Sequence, residues 1–153
     1  MMISFKFRYV GLAVLVSFLA SGCGGMMPSA DRSHLLTFTT QLRGGNEVPP
    51  VASSGNGQVD AVLNTDTNLL RWRVTFANLS SPAKAGHFHG PAAVGANAGV
   101  VLPFPGQISS PMDGSATLTA AQVDDLKAGR WYANIHTAAN PSGEIRGQMT
   151  LRR

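Results

Sequence analysis

The sequence predicts an all-β fold: a single antiparallel β-sandwich or barrel of about seven to nine short strands, with one short helix near residues 120–128. Apolar and polar residues alternate with period two over many short segments, which is typical of strands with one buried and one solvated face. Turn-forming residues separate these segments, since the 153 residues include 17 glycines and 9 prolines. One stretch carries the start and stop signals of a helix.

The clearest alternation lies in the first half of the chain. Residues 34–42 read as a strand with alternating apolar and threonine side chains. Residues 58–63 and 69–77 follow as a hairpin around a turn at residues 64–68. The second of these strands places four large apolar side chains on one face, so we expect Trp72 at the centre of the core.

The second half is predicted to hold shorter elements. Thr119 is a suitable N-cap for a helix over residues 120–128, and Gly129 is suited to end it. A last hairpin pairs residues 130–137 with 144–151. Further short strands are expected at His87–His89 and over residues 100–102, 107–111 and 114–118, and the last hairpin turns at residues 140–143.

The N-terminus has the pattern of an export signal. Lys6 and Arg8 precede an apolar stretch at residues 10–20, which is shorter than the roughly 20 residues of a membrane span. Small residues then lead into Cys23, and this run resembles a bacterial lipobox. We therefore expect residues 1–22 to be a lipoprotein signal peptide and Cys23 to be lipidated. An ordinary secretory signal with a chance cysteine is the alternative.

These expectations fix the predicted organisation and location. Residues 23–34 would form a flexible lipidated tether, and residues 35–152 would form one β domain. We expect an exported protein held to the membrane through lipid on Cys23. Gly24 after the cysteine favours the outer membrane, on its periplasmic or surface side, if the organism is Gram-negative, and the cell surface otherwise.

Charge gives little reason to expect a nucleic-acid partner. Lys6 and Arg8 leave with the signal, so the formal charge falls from +4 to +2. The remaining arginines and lysines are scattered, without a basic stripe or a basic cluster interleaved with aromatic residues.

Three of the four histidines lie in two predicted strands, and they are the strongest chemical candidates. His87 and His89 point to the same face of one strand, and His136 shares a face with Asn134 on another. If the two strands pair, three imidazoles converge, and imidazole is a common ligand for copper and zinc. We expect copper in preference to zinc. The structural alternative is that the histidines donate ring N–H groups to backbone carbonyls.

Four sequence motifs, taken together, resemble one known family. They are Leu-Arg-Gly-Gly-Asn-Glu-Val-Pro-Pro at residues 42–50, Gly-His-Phe-His-Gly-Pro-Ala at 86–92, Tyr-Ala-Asn-Ile-His-Thr at 132–137 and Asn-Pro-Ser-Gly-Glu-Ile-Arg-Gly-Gln at 140–148. In this order they resemble the CHRD domain, first named in chordin and also found in bacterial exported proteins. The resemblance runs from about residue 35 to 151 and implies extracellular interaction with another protein, without indicating which.

Polar residues near the histidine motifs are further candidates for ligand contact or for positioning a histidine. Glu144 and Arg146 lie two apart on one strand face, but we favour an exposed cross-strand ion pair for them. Glu47 stands beside two prolines and either pairs with Arg146 or, as we favour, is solvated. Asn134 is suited to local hydrogen bonding.

Two functions of different classes remain open from the sequence. The first is a membrane-anchored, extracytoplasmic, non-catalytic binding module whose partner is an envelope or extracellular protein. The second is a copper or zinc binding or handling protein with a site at His87, His89 and His136. The His-x-His pair is similar to that of copper–zinc superoxide dismutase, but that enzyme needs more histidines and a disulfide. No nucleophile motif such as Gly-x-Ser-x-Gly is present, so we do not expect catalysis.

Overall fold

The computed structural model describes residues 33–152, and in this range the predicted all-β class is confirmed. The predicted signal peptide, Cys23 and all of the tether before its last two residues lie outside the described residues. None of the helical segments within the described range is long and apolar enough to span a bilayer. The elements are β1 (Leu35–Arg43), a 3-10 helix (Gly44–Asn46), β2 (Asn56–Asn64), β3 (Leu69–Ala77), β4 (Ala83–His89), β5 (Val100–Pro103), β6 (Met112–Thr117), α1 (Ala120–Lys127), β7 (Tyr132–Thr137), β8 (Ile145–Gln148) and β9 (Thr150–Leu151).

The strands form one antiparallel sheet in the order β5-β4-β7-β8-β1-β2-β3-β6, with β9 also paired to β1. This sheet is curled into a half-barrel. Strands β3 and β4 are not neighbours in the sheet, yet Trp72 of β3 and Phe88 of β4 meet edge to face with ring centroids 5.4 Å apart. The curl thus gives the sheet an inner, apolar face and an outer face.

The predicted hairpin of β2 and β3 is confirmed, because the two strands pair over their full length in a register that places Val59 opposite Val74. Asn64 makes the turn, since its side-chain oxygen accepts the N–H groups of Asp66 and Thr67 at 2.9 and 3.0 Å. Asn68 has a φ of 54°, a left-handed conformation that asparagine tolerates well.

Trp72 lies in the core, as predicted, with 4% of its surface exposed. Its ring packs against Phe88 and Phe104 and lies directly over Gly114 of β6, where a Cβ atom would stand 2.4 Å from the indole. A side chain at Gly114 would therefore displace the largest aromatic group of this half of the core.

The helix begins and ends where the sequence predicts, to within one residue. Thr119 and Gln122 form a reciprocal capping box, and Gly129 follows the C-cap with a φ of 68°. Val123 and Leu126 are its buried contacts.

Two details of the strand prediction are wrong. Residues 107–111 form no strand, because Gly106 takes a left-handed φ of 68° and Pro111 has no N–H to donate, while Ser110 Oγ accepts the N–H of Phe76 at 2.8 Å. The predicted strand 144–151 is divided at Met149, whose N–H donates a hydrogen bond of 2.9 Å to the backbone carbonyl of Trp131.

Candidate metal centre

Strands β4 and β7 are antiparallel neighbours, and their pairing brings the histidine motifs together. In this register His87 lies opposite Asn134, Ala85 opposite His136 and His89 opposite Tyr132. The alternate residues Phe88, Ala133 and Ile135 are fully buried in the core. The polar side chains of the two strands therefore share the outer face of the sheet; they are His87, His89, Tyr132, Asn134 and His136.

The three imidazoles converge on this face. One ring nitrogen from each of His87, His89 and His136 lies within 4.8 Å of the others. His87 Nδ1 and His136 Nε2 are 3.1 Å apart. Because metal–nitrogen bonds are near 2 Å, the 3.1 Å separation of His87 Nδ1 and His136 Nε2 suits two ligands of one ion. His89 is buried, whereas His87 and His136 are partly exposed, so an ion can reach the group from solvent.

Asn134 lies between two of the rings. Its Oδ1 atom is 3.1 Å from His89 Nε2 and 3.0 Å from His136 Nε2. The amide is buried, with 3% of the residue exposed. Asn134 thus places a fourth potential donor atom among the three imidazole nitrogens.

Backbone carbonyls accept hydrogen bonds from the Nδ1 atoms of two of the rings. His89 Nδ1 is 3.0 Å from the Ala98 oxygen, and His136 Nδ1 is 2.9 Å from the Pro141 oxygen. A carbonyl can only accept, so each Nδ1 carries the proton and donates it. This fixes the tautomer and leaves each Nε2 unprotonated in the neutral ring, as in histidines that bind metals.

The surroundings keep two of the rings neutral. Burial lowers the pKa of His87, and the adjacent His136 and His89 lower it further. Burial also lowers the pKa of His89, outweighing the hydrogen bonds to Ala98 and Asn134 that favour its charged form. Neutral imidazole is the form that coordinates a metal ion.

A stack of three side chains fixes the orientation of His89. The Tyr132 ring is parallel to the His89 ring at a centroid distance of 4.8 Å, and the Arg146 guanidinium carbon lies over the Tyr132 ring, 3.4 Å from its centroid. Arg146 is held in turn by Asn97 Oδ1 at 2.7 Å and by the Ala96 carbonyl. The loop between β4 and β5 is therefore bound to the same stack that positions the histidine.

The family resemblance of the sequence is supported by a direct comparison with family models. The model of the CHRD domain matches residues 38–149. The chain belongs to the CHRD domain family. Searches of the curated proteins and of the solved structures found no match. The matched range of the CHRD domain contains all of the histidines, polar residues and loops that build the cluster.

Glu47 lies deeper in the CHRD domain than the sequence indicates. We expected a solvated carboxylate, but only 6% of the residue is exposed, because the loop after β1 folds against the turn between β7 and β8. Burial raises its pKa to about 7, opposed by the charge of Arg146 and by a hydrogen bond from Asn134. Its Oε1 atom has no hydrogen-bond partner in the described part of the chain.

Glu144 and Arg146 do not form the exposed ion pair that we favoured. Glu144 is fully buried and Arg146 is 2% exposed, because loops close over this face of the sheet. Within residues 33–152 neither has a salt-bridge partner. Glu144 contacts none of the three histidines; its four hydrogen bonds come from Ser53 Oγ at 2.6 Å, Ser80 N–H at 2.7 Å, Ser80 Oγ at 2.8 Å and Thr137 Oγ1 at 2.6 Å.

These bonds set the acidity of Glu144. Burial alone would raise its pKa, but the hydrogen bonds from Ser53, Thr137 and Ser80 outweigh it and lower the pKa to about 2. Glu144 is therefore a charged group whose acceptor capacity is satisfied by the protein.

Sequence reasoning missed several groups that build the site. Tyr132 alternates with Asn134 and His136, so its place beside His89 could have been found from the same period-two pattern. The carbonyls of Ala98 and Pro141 lie in loops whose conformation has no periodic signal.

Proposed function

We propose that this CHRD protein is an exported, lipid-anchored binding module whose ligand is a transition-metal ion held by His87, His89 and His136. The observation that supports it is the convergence of three imidazoles, two of them with their Nδ1–H groups bonded to backbone carbonyls. This arrangement points the lone pairs of His89 and His136 toward a common point.

The donor set favours copper, with zinc as the second choice. Imidazole suits both ions, and the order of affinities of nitrogen sites for divalent metals places Cu(II) above Zn(II). No thiolate and no carboxylate within residues 33–152 contacts the three rings, so the donors supplied by the histidines are neutral. We propose binding without turnover, because the groups that touch the rings hold and orient them and include no carboxyl acid or base.

Thermal unfolding in the presence of metal tests the site. A ligand that binds only the folded state at a hundred times its Kd stabilises it by about 2.7 kcal/mol. We expect Cu(II), and to a smaller extent Zn(II), to raise the Tm of the purified domain. The triple variant His87→Ala, His89→Ala, His136→Ala should lose this rise, and His34→Ala, which removes the remaining histidine, should keep it. An unchanged wild-type Tm, or a rise that survives in the triple variant, would contradict the proposal.

The anchor has a separate test. The proposed lipid on Cys23 is supported by the apolar stretch and small residues that precede it. We expect Cys23→Ser to move the protein from the membrane fraction to the soluble fraction of cells, with the metal-induced rise in Tm retained. A Cys23→Ser protein that stays with membranes would argue against lipid anchoring and would leave the metal site unaffected.

A further inference from the structure

We infer that Asn134 is the fourth donor of this site: its side-chain oxygen completes a set of three imidazole nitrogens and one amide oxygen, and Glu47 positions the amide. This inference rests on the proposed metal-binding function and names the residue that completes the site. The ligand class is a divalent copper ion bound by four neutral protein donors.

The first argument is the spacing of the four atoms. His87 Nδ1 lies 3.1 Å from His136 Nε2, which lies 3.0 Å from Asn134 Oδ1, which lies 3.1 Å from His89 Nε2. Two donors bound at about 2.0–2.1 Å to the same ion, at angles of 90–109°, stand roughly 2.9–3.4 Å apart. All three consecutive contacts therefore have the spacing of neighbouring ligands in one coordination sphere.

The second argument is the number of protons available. His89 and His136 each donate their Nδ1 proton to a backbone carbonyl, so each neutral ring presents a lone pair from Nε2 toward Asn134 Oδ1. The amide oxygen also presents lone pairs. Only His87 Nδ1 can bring a proton to this group. Four acceptor atoms thus share one hydrogen at most, an arrangement that repels unless a cation lies among them.

The third argument explains why the amide does not turn round. A rotation of 180° would place Nδ2 against the imidazole lone pairs and relieve the repulsion. Glu47 opposes it, because its carboxylate and the amide nitrogen both lie against Gly143, and the turned amide would bring Asn134 Oδ1 to the side of the Glu47 carboxylate. Gly143 makes room for this contact, since a Cβ there would lie 2.5 Å from Glu47 Oε1 and 2.9 Å from Asn134 Nδ2.

Competition titration of Cu(II) against a chelator at pH 8 tests the assignment of Asn134. We expect Asn134→Ala to bind Cu(II) about 10- to 100-fold more weakly than the wild type. Asn134→Asp, which keeps an oxygen at the same place, should bind within about tenfold of the wild type. The control Asn56→Ala changes an exposed asparagine on β2 and should leave the affinity unchanged. Wild-type affinity in Asn134→Ala would overturn the inference.

A measurement on the unaltered protein covers the case in which Asn134→Ala does not fold. Pulsed EPR of the Cu(II) protein, labelled with ¹³C at the asparagine side-chain carbonyl, should detect one strongly coupled carbon, because a bound Oδ1 is one bond from it. The three imidazoles supply the nitrogen couplings in the same spectrum. Nitrogen couplings without a strongly coupled carbon would overturn the role of Asn134 while leaving the three-histidine site in place.

Glu47→Gln tests the positioning role. A glutamine amide can donate to Asn134 Oδ1, so the Asn134 amide becomes free to turn and offer Nδ2 to the imidazoles. We expect the metal-free Tm to stay the same or rise while the Cu(II) affinity falls about tenfold. A role of Glu47 in folding alone would lower the Tm and spare the affinity of the folded protein, and that outcome would overturn the assignment. Absence of Cu(II) binding by the wild type would instead overturn the proposed function itself.

Discussion

The hairpin of β7 and β8 adjoins two polar clusters that differ in their numbers of hydrogen-bond donors and acceptors. We call them the Glu144 cluster (Glu144, Ser53, Ser80 and Thr137) and the histidine cluster (His87, His89, His136 and Asn134). In the Glu144 cluster, one carboxylate accepts four hydrogen bonds. In the histidine cluster, four acceptor atoms face one another with one available proton at most.

This difference shows that burial of polar groups alone does not indicate a ligand site. The Glu144 cluster is complete by itself, and its role is to join the loop after β1, the loop after β3 and the end of β7. The histidine cluster has more lone pairs than protons, so an added cation reduces the repulsion between its acceptor atoms. The two clusters should therefore respond in opposite ways to mutation and to metal.

The largest expected effect is on stability, from Glu144→Leu. The change removes the acceptor of one buried and three part-buried hydrogen bonds, so we expect a loss of about 3–5 kcal/mol in the free energy of unfolding. Urea unfolding measures it, and Cu(II) titration under conditions where the variant is folded should give the wild-type affinity. A loss below about 1 kcal/mol would show that the Glu144 cluster does not hold the loops.

Acid should weaken the domain through the same residue. The pKa of Glu144 is about 2 in the folded state, against 4.5 for the free side chain, so the folded state binds fewer protons than the unfolded state. Its contribution is complete above pH 4.5 and disappears as the pH falls through about 2, a loss on the order of 3 kcal/mol. Urea unfolding between pH 5 and pH 2 measures this slope. The slope should be clearly smaller in Glu144→Gln, and an equal slope would assign it to other groups.

Removing a single donor should have a smaller effect. Ser80→Ala removes the hydroxyl that bonds Glu144 Oε2 at 2.8 Å but keeps the backbone N–H on Oε1. We expect a loss of about 1–2 kcal/mol in urea unfolding. Ser115→Ala, at an exposed position on β6, is the matched control and should be within about 0.5 kcal/mol of the wild type.

The smallest effect on the metal-free protein is expected in the histidine cluster. His87 is partly exposed, so His87→Ala should change the metal-free stability by less than about 1 kcal/mol. The same substitution should remove most of the stabilisation by Cu(II). A large loss of metal-free stability together with an unchanged copper effect would reverse the comparison between the two clusters.

Much of the fold could be predicted because period-two alternation directly reports strand faces. It identified the β2–β3 hairpin, the core position of Trp72 and the shared face of His87 and His89. The capping box similarly identified the helix at residues 120–127. The strand expected at residues 107–111 was wrong because backbone restraints from glycine and proline outweighed side-chain alternation.

The site was predictable only in part. Alternation places a side chain on the outer face, but it does not show whether a loop covers that face, and this is why Glu47, Glu144 and Arg146 are buried against expectation. The convergence of the imidazoles required β4 and β7 to be neighbours, a long-range pairing that local pattern does not determine. The lipid on Cys23 and the bound metal remain predictions.

The position of β1 within the sheet has a consequence for biogenesis. This strand lies between β2 on one side and β8 and β9 on the other, with Phe38 paired to Leu151. In a nascent chain synthesised only as far as β7, the edges of β1 and β7 that pair with β8 are therefore unpaired. Pairing of β8 with β1 then joins segments that are far apart in sequence. The sheet then consists of two separate parts, β6-β3-β2-β1 and β5-β4-β7, and the last strands of the chain join them.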